Sequence, residues 1–316
     1  MRVLVTGGAG RLGARVCKIL LEDGHRVRVL ELDTKRNRKS IDKLGDGVEA
    51  VWGDVTDPDT VRQALQDVDG VAHMAGLLPP KTDQFPELAH RVNVGGTRLV
   101  VDLLKEKGGN IPFVFTSSVG VYGPTPGATE PITVERHSPN PQEPYAHTKL
   151  ECENLIKESG IDYVILRMTG SMELDTTAIK LMFRVPLHSR MEFCHPDDLA
   201  LAIARCIERF DIVKGKTMLV AGGPERRMVY RDILGGAFGP LGLPLPPAHK
   251  FSKVPYCIDW YDTAESQALL DYQRKSFEQF CMDLRRNVAG PFSFIVVPLM
   301  RYFIGPVFGR IIVRLL

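Results

Sequence analysis

One stretch near the start of the chain decides the fold: Val5-Thr6-Gly7-Gly8-Ala9-Gly10-Arg11-Leu12-Gly13. A run of β-branched residues, Val3–Thr6, leads into it, and a helical pattern with apolar residues on one face follows it. Gly7 allows a tight turn, Gly10 lets backbone N–H groups approach a pyrophosphate, and Gly13 lets the helix pack closely on the strand. Free N–H groups and the helix dipole would then hold the pyrophosphate. The stretch predicts a dinucleotide site with contacts from Gly7, Gly10, Arg11, Leu12 and Gly13.

The composition is that of an ordinary globular protein. The 316 residues are 44% hydrophobic and 25% charged, which suits about two domains or one α/β domain with an added lobe. The 40 basic and 38 acidic residues leave a formal net charge of +2, so no global charge favours nucleic acid as a partner. The six cysteines are scattered without a CxxC pair, which favours a reducing compartment over a disulfide framework. Because the first residues already read as a strand, we expect no leader peptide and a cytoplasmic location.

Strand and helix patterns alternate through the first 170 residues. This alternation is typical of right-handed βαβ units, so we expect an α/β fold with a doubly wound parallel sheet of the Rossmann type. Residues 1–170 are predicted to form the NAD-binding domain, and residues 171–290 a smaller C-terminal substrate lobe. A helix at 195–210 and a strand at 217–220 are expected to return to the first domain. The predicted strands of that domain are Val3–Thr6, Arg26–Leu30, Val48–Trp52, Val71–His73, Phe113–Thr116 and Tyr163–Leu166.

The end of the second predicted strand indicates which dinucleotide is bound. Glu31 lies there, about 20 residues after the glycines, where its carboxylate can accept hydrogen bonds from both ribose hydroxyls. Its charge would repel a 2′-phosphate, so NAD is favoured over NADP. Asp33 is a second carboxylate that can share this role. A basic run follows, and two interpretations of it stay open, a solvated loop or side chains that reach a phosphate: Lys35, Arg36 and Arg38.

Further motifs follow in a fixed order along the chain. They are GDVTD at 53–57, VAHMAG at 71–76, NVGGT at 93–97, FTSSVGVYG at 115–123, YAHTK at 145–149 and HPDDLA at 195–200. With the glycine stretch, they resemble the extended short-chain dehydrogenase/reductase superfamily, in its NAD-dependent epimerase/dehydratase branch, over residues 1–285. The resemblance implies further cofactor contacts from Asp54, Val55, Met74, Ala75, Gly76, Asn93, Thr116, Tyr145, Lys149 and Thr169.

The YxxxK pair within 145–149 has a chemical meaning of its own. On a helix, positions i and i+4 share a face, so the Lys149 ammonium can lie close to the Tyr145 hydroxyl. That charge would favour the phenolate and lower the pKa of Tyr145 from its ordinary value near 10. Tyr145 is therefore predicted to exchange the proton during a hydride transfer, with Ser118 hydrogen-bonded to the same substrate oxygen. The resemblance implies that Lys149 also holds the nicotinamide ribose and that Asn93 anchors a water or backbone group behind them.

Departures from the family's pattern restrict the substrate and the reaction. The family's sugar dehydratases have an Asp-Glu pair just after the catalytic Ser or Thr, where this chain has Val119 and Gly120, so we expect no dehydration. Gly170 replaces the Asn of the R-x-x-N motif, and Met191 stands where an Arg is usual. The segment 171–190 is also short and apolar. We therefore predict a substrate pocket more apolar than a nucleotide-sugar site.

Two histidines and both tryptophans are interpreted as structural residues. His195 stands at the predicted start of a helix, and His73 lies in a buried strand. Neither histidine has further ligands at a metal-binding spacing, so no metal site is predicted. Trp52 and Trp260 are most simply packing residues.

The last residues, 291–316, form a hydrophobic amphipathic tail whose charges are Arg301, Arg310 and Arg314. The uncharged run 287–300 contains two prolines and is shorter than the roughly 20 residues of a spanning helix. Three interpretations stay open: burial against the protein itself or a partner in a homodimer, interfacial contact with the inner face of an anionic membrane, or a re-entrant segment.

These observations predict an NAD-dependent oxidoreductase or epimerase that acts on a secondary alcohol or ketone, with a sterol- or isoprenoid-like substrate as the first choice. A nucleotide-sugar 4-epimerase is the alternative within the same chemistry. A non-catalytic dinucleotide sensor or assembly protein is the alternative of another class, although it would have no need of Ser118, Tyr145 and Lys149.

Overall fold

The computed structural model describes residues 1–170, 181–241 and 243–289. The predicted tail, 291–316, and part of the apolar segment, 171–180, lie outside these residues. Nine strands are described: β1 Arg2–Thr6, β2 Arg26–Glu31, β3 Val48–Trp52, β4 Gly70–His73, β5 Phe113–Ser118, β6 Tyr163–Met168, β7 Arg190–Glu192, β8 Thr217–Val220 and β9 Arg227–Val229.

The helices alternate with the strands through the first half of the chain, as the sequence predicts. The described α-helices are α1 Arg11–Glu22, α2 Lys35–Asp42, α3 Pro58–Ala64, α4 Lys81–Gln84, α5 Pro86–His90, α6 Gly96–Glu106, α7 Pro144–Ser159, α8 Pro196–Glu208, α9 Phe210–Val213, α10 Tyr230–Phe238, α11 Ala264–Leu270 and α12 Phe277–Ala289. A π-helical turn, Arg91–Gly95, joins α5 to α6, and a 3-10 helix, Val119–Tyr122, follows β5. None of the helices in the described ranges has the length and apolar character needed to cross a bilayer.

Seven parallel strands form one sheet in the order β3-β2-β1-β4-β5-β6-β8. The order reverses next to β1, which is the arrangement of a doubly wound sheet, so the predicted fold class is confirmed. The strand at Thr217–Val220, expected to return to the sheet of residues 1–170, pairs with β6. A two-stranded antiparallel pair, β7 with β9, lies apart from the main sheet and was not predicted.

Helices cover both faces of the sheet. On one face, Val16 and Leu20 of α1 share a core with Leu199 and Ile203 of α8, so the helix predicted at 195–210 packs on the sheet. On the other face, the core is built by α3, α6 and α7, with Val61, Val100, Leu104, Cys152 and Ile156 among its members. A third, separate core is formed by residues between Met182 and Leu284.

That third core changes the meaning of an apolar segment. Met182 and Val185 are buried with residues of α10 and α12, among them Ile233, Phe280 and Leu284. Phe183 and Leu187 pack against the same core. Segment 171–190 is predicted to belong to an apolar substrate pocket, but its described apolar side chains at 182, 183, 185 and 187 pack in or against this third core.

A buried ion pair joins the sheet to α7. The Arg167 guanidinium of β6 donates to both carboxylate oxygens of Glu153 on α7, the shortest contact being 2.7 Å from Nη2 to Oε2. Ser117 Oγ donates to the same carboxylate at 2.6 Å, and Arg167 Nη1 donates to Tyr122 Oη at 2.7 Å. Burial alone would raise the pKa of Glu153, but the hydrogen bonds and charge of Arg167 hold it below its ordinary value. The stabilisation from this carboxylate is therefore present above its ordinary titration range and is lost as the pH falls through the lowered pKa.

Replacing Glu153 with Gln should lower the free energy of unfolding by about 3–5 kcal/mol, because it leaves the Arg167 guanidinium buried without a countercharge. Urea denaturation measures the change. Lys157→Gln is the matched control, since Lys157 contacts the same carboxylate at 3.3 Å from a side chain that is 36% exposed. This variant should lose less than about 1 kcal/mol. Equal losses in both variants would mean that the pair does not hold α7 on the sheet.

Candidate active site

The glycine stretch forms a turn that no larger residue could make. Gly7 has φ +74°, and a Cβ placed on it would lie 3.0 Å from the Ala75 backbone nitrogen. A Cβ on Gly13 would overlap the Gly7 carbonyl oxygen, so α1 can start directly beneath the turn. Gly10 stands at the N-cap position of α1 and offers no side-chain cap, while Arg11 and Leu12 form the first turn. Backbone N–H groups at a helix N-terminus are suited to bind a pyrophosphate.

Glu31 lies at the carboxyl end of β2, under this turn. Its Oε2 accepts a hydrogen bond from Ala9 N at 3.2 Å, and its Oε1 accepts one from Leu32 N at 3.1 Å. Partial burial raises the pKa of Glu31, while these two backbone hydrogen bonds and the charge of Arg36 oppose the shift. The carboxylate is thus placed at the strand end where the sequence analysis expects a ribose.

Asp33 is exposed and paired with a residue of the basic run. Arg38 donates from Nε to Asp33 Oδ1 at 2.6 Å and from Nη2 to Oδ2 at 2.8 Å, and this pairing lowers the pKa of Asp33. The Arg38 guanidinium also lies 4.9 Å from the ring centroid of Trp52. Trp52 therefore stacks on a cation as well as packing against the core, which the sequence alone did not indicate.

Two further strand ends complete the nucleotide side. After β3, Asp54 Oδ1 accepts hydrogen bonds from Thr56 N at 2.9 Å and Thr56 Oγ1 at 2.8 Å, and Val55 is buried against Gly96. After β4, the turn Met74–Gly76 runs beside Gly7. All the predicted residues of this side therefore lie at the carboxyl edge of the sheet, where parallel α/β sheets bind ligands.

Asn93 lies in the π-helical turn and holds backbone rather than facing an open space. Its Oδ1 accepts from Leu77 N at 2.7 Å, and its Nδ2 donates to Leu77 O and to Thr148 Oγ1, both at 3.1 Å. The structure thus gives it the backbone contact, one of the two roles that the resemblance implies.

The predicted catalytic residues meet where β5 ends and α7 begins. Ser118 Oγ accepts a hydrogen bond from Gly120 N at 3.0 Å, which leaves the hydroxyl proton available for another acceptor. A Cβ placed on Gly120 would lie 3.2 Å from Ser118 Oγ and 3.8 Å from Ala146 Cβ, so Ser118 borders the first turn of α7. Tyr145 is in that turn, and Lys149 follows one turn later.

The electrostatics of this pair differ from the sequence-based expectation. Lys149 Nζ donates to Thr116 O at 2.7 Å and lies 5.7 Å from the ring centroid of Tyr145, with the Phe115 ring at 4.6 Å. Burial lowers the pKa of Lys149 to about 8 and raises the pKa of Tyr145 above its ordinary value. The predicted lowering of the Tyr145 pKa is wrong for this arrangement. Desolvation of the phenolate dominates because the ammonium lies over the ring and is directed at a carbonyl group.

Thr169, just after β6, supports the presence of a polar ligand. Its backbone N donates to Val220 O at 2.9 Å, but its buried Oγ1 has no hydrogen-bond partner among the described residues. A buried hydroxyl without a partner is costly, so a ligand group is a reasonable acceptor or donor for it. This atom and the glycine turn are the two features that fit a dinucleotide.

A polar network beside Ser118 was missed by the sequence analysis. Cys257 Sγ lies 3.7 Å from the position of a Gly120 Cβ and donates to Glu143 Oε2 at 3.7 Å. Arg184 Nη2 donates to Glu143 Oε1 at 3.1 Å, and its Nη1 donates to Asp83 Oδ2 at 2.7 Å. Burial raises the pKa of Glu143, and the Arg184 charge opposes the shift. The only signal in the sequence was the position of Glu143, two residues before Tyr145.

His195 and His73 have the structural roles expected of them. His195 caps α8, its Nδ1 accepting from Asp197 N at 3.1 Å. His73 is buried at the end of β4 with both ring nitrogens hydrogen-bonded.

Some known proteins are similar to this chain in sequence. D-erythronate dehydrogenase of Cupriavidus necator is 34% identical over 166 residues, which are 50% of this chain and 50% of that protein. The 3 beta-hydroxysteroid dehydrogenase type 7 of Rattus norvegicus is 38% identical over 124 residues, 38% of this chain and 36% of that protein. The matched region is thus half or less of the length of these relatives.

The fold as a whole is that of a solved epimerase. The crystal structure of UDP-glucose-4-epimerase from Stenotrophomonas maltophila, with bound NAD and formylated UDP-arabinopyranose, superposes with a TM-score of 0.75 at 20% identity, covering 90% of this chain and 96% of that one. The family model described as NAD dependent epimerase/dehydratase matches residues 3–172, more than half of the chain. This protein therefore belongs to the NAD-dependent epimerase/dehydratase family.

Proposed function

We propose that this protein transfers a hydride reversibly between a nicotinamide dinucleotide and a secondary alcohol or its ketone. The observation that supports this most directly is that α7 brings Tyr145 and Lys149 against the end of β5, which Ser118 terminates: Lys149 Nζ lies 2.7 Å from Thr116 O and 5.7 Å from the Tyr145 ring centroid. The bound dinucleotide supplies the hydride acceptor and donor. A dehydrogenase and an epimerase share this hydride transfer, and they differ in whether the ketone leaves the enzyme.

The chain's own residues handle the proton and the oxygen. Ser118, whose oxygen is already engaged by Gly120 N, donates its proton to the substrate oxygen and orients it. Tyr145 gives a proton to that oxygen in the reducing direction and takes one in the oxidising direction. Because the pKa of Tyr145 is raised, the phenol is protonated at neutral pH, which favours reduction. Oxidation should become faster as the pH rises. Lys149, whose ammonium donates to Thr116 O, would hold the nicotinamide ribose, as the family resemblance implies.

The polar network beside Ser118 supports a substrate with hydroxyl groups near the reacting carbon. Glu143 Oε1 accepts from Arg184 and Oε2 accepts from Cys257, and each carboxylate oxygen has a second lone pair that can accept from a substrate hydroxyl. Sugar acids and nucleotide sugars, the compounds in the names of two of the similar proteins, belong to this class. Segment 181–187 no longer supports the sterol- or isoprenoid-like substrate that the sequence predicts first. The remaining support for that substrate is the apolar tail, 291–316.

NAD is the preferred dinucleotide in this proposal. Two features support this: Glu31 is a carboxylate at the end of β2, whose charge would repel a 2′-phosphate bound there, and Arg38 is held by Asp33 in a bidentate pair. Both features disfavour the interpretation in which the basic run binds a phosphate. The homodimer and the membrane contact remain predictions from the sequence.

Tyr145→Phe should reduce turnover by about 10²–10⁴-fold, because it removes only the proton that the reaction exchanges. A panel of UDP-glucose, D-erythronate and a 3β-hydroxysteroid, each with NAD⁺, identifies a substrate on which to measure it. The affinity for NAD⁺ should stay nearly unchanged. Tyr163→Phe removes a tyrosine hydroxyl outside the site and should keep wild-type turnover. Full activity of Tyr145→Phe would refute the catalytic assignment.

Isothermal titration should give tighter binding for NAD⁺ than for NADP⁺, by about tenfold or more, which is roughly 1.4 kcal/mol. Glu31→Gln should narrow the difference, since it removes the repelling charge. Glu22→Gln, at the exposed end of α1, is the control and should leave the ratio unchanged. Tighter binding of NADP⁺ by the unaltered protein would mean that Arg36 or Arg38 binds the 2′-phosphate and sets the cofactor preference.

A chain that ends at Gly290 should fold and bind NAD⁺ but no longer co-sediment with phosphatidylserine vesicles. Apolar burial and about 1 kcal/mol from each of the three arginines would have held the full chain there. Phosphatidylcholine vesicles are the control, because they lack the anionic charge. The contrary outcome is that the full chain co-sediments with neither kind of vesicle while the shortened chain no longer forms a dimer or has lower thermal stability. That result would give the tail a structural role and remove the last support for a lipid-like substrate.

A further inference from the structure

A series of buried polar groups runs from the glycine turn to α7. Thr6 ends β1 directly before Gly7, and His73 ends β4 directly before Met74; the two are register partners in the sheet. Thr97, on α6, lies on the other side of the His73 ring. All three side chains are at most 1% exposed, so their hydrogen bonds are made within the protein. We call Thr6, His73, Thr97, Asn93 and Thr148 the Thr6–Thr148 series.

The donors and acceptors of this series allow the hydrogen bonds at His73 to run in one direction only. Thr6 Oγ1 accepts from Met74 N and from Ala75 N, both at 3.1 Å, which uses both of its lone pairs. Its proton must therefore go to His73 Nδ1, 2.9 Å away. In a neutral ring the proton is then on Nε2, which donates to Thr97 Oγ1 at 3.1 Å. Thr97 Oγ1 in turn donates to Asn93 O at 2.6 Å.

The series of hydrogen bonds continues from Asn93 to the backbone of the proposed catalytic tyrosine. Asn93 Nδ2 donates to Thr148 Oγ1 at 3.1 Å, and Thr148 Oγ1 donates to Tyr145 O at 2.8 Å. Asn93 belongs to the π-helical turn, whose extra residue sets it against both Leu77 and α7. Each member thus has a partner on both sides, from Thr6 to Tyr145.

The surroundings of His73 keep it neutral. Its ring stacks on Phe113 and Phe115, with centroids at 5.7 and 6.0 Å, and the Lys149 ammonium lies on the Phe115 ring. Burial, with the Lys149 charge as a second cause, lowers the pKa of His73 to about 3. A protonated ring would also direct an Nδ1 proton at the filled lone pairs of Thr6. His73 therefore has no part in moving protons at neutral pH.

We propose that His73 is a positioning residue that couples the glycine turn to Tyr145, so that binding of the dinucleotide and the placement of the catalytic helix depend on each other. This rests on the proposed function, in which the turn holds the cofactor and Tyr145 exchanges the proton. The imidazole suits the task because its two nitrogens point in opposite directions and can connect two hydroxyl groups on separate elements. A ring without nitrogens would fill the space and break the connection.

A double-mutant cycle on the full chain, with NAD⁺ as the probe, tests the coupling without a known substrate. Thr148→Val removes the hydroxyl at the α7 end and should weaken NAD⁺ binding about three- to tenfold in isothermal titration. The same substitution in a His73→Phe background should cause no further change. Thr133→Val is the matched control, because it removes a buried hydroxyl that accepts from Arg136 N and lies outside the Thr6–Thr148 series. It should leave the NAD⁺ affinity within about twofold of the unaltered protein.

A second pair of variants covers the case in which His73→Phe does not fold. Thr97→Val should abolish the effect of Thr148→Val on NAD⁺ affinity, and Thr97→Ser, which keeps the hydroxyl, should restore it. Loss of stability alone would not give this pattern, because the affinity of the folded protein does not depend on its free energy of unfolding. Additive effects, or an NAD⁺ affinity that ignores Thr148→Val, would overturn the coupling. Failure of the unaltered protein to bind NAD⁺ would instead overturn the proposed function.

Discussion

The ion pair between Arg167 and Glu153 is the contact on which the geometry of the active site depends. It joins β6 to α7, and through Ser117 and Tyr122 it also holds the end of β5 and the 3-10 helix after it. Ser118 is the next residue of β5, and Tyr145 and Lys149 lie two turns and one turn before Glu153 on α7. Taking two charges out of water is costly unless every donor and acceptor is used. That requirement allows one relative placement of strand and helix, and so one placement of the catalytic residues.

The two sides of the site differ in how they are built. The dinucleotide side uses backbone: the Gly7 turn, the first turn of α1 and the strand end at Glu31. The substrate side uses side chains from distant segments, since Cys257, Glu143 and Arg184 converge beside Ser118. Backbone sites tolerate few substitutions and therefore keep their motif, whereas a side-chain network can change with the substrate. This difference explains why the family is evident here and the substrate is not.

Patterns of local spacing predicted most of the sheet and the residues at its edge. The strands of the first domain, the position of the glycine turn and the roles of His73 and His195 all follow from short stretches whose neighbours in sequence are also neighbours in space. The expected pKa of Tyr145 was wrong because helical spacing places Lys149 on the correct face but says nothing about burial or about Thr116 as a competing acceptor. The reading of segment 181–187 failed for a related reason: an apolar run looks the same whether it lines a pocket or fills a core.

The sequence by itself predicted the fold class, the edge of the sheet proposed to bind the dinucleotide and the proposed Ser118, Tyr145 and Lys149 set, because each depends on backbone geometry or on spacing within one element. Tertiary structure alone decided which carboxylates are free and which are paired, as with Glu31 and Asp33, and which polar groups meet beside Ser118. It also decided the direction of hydrogen bonding through His73. These properties depend on desolvation and on contacts between residues far apart in the chain, and neither is encoded in local spacing.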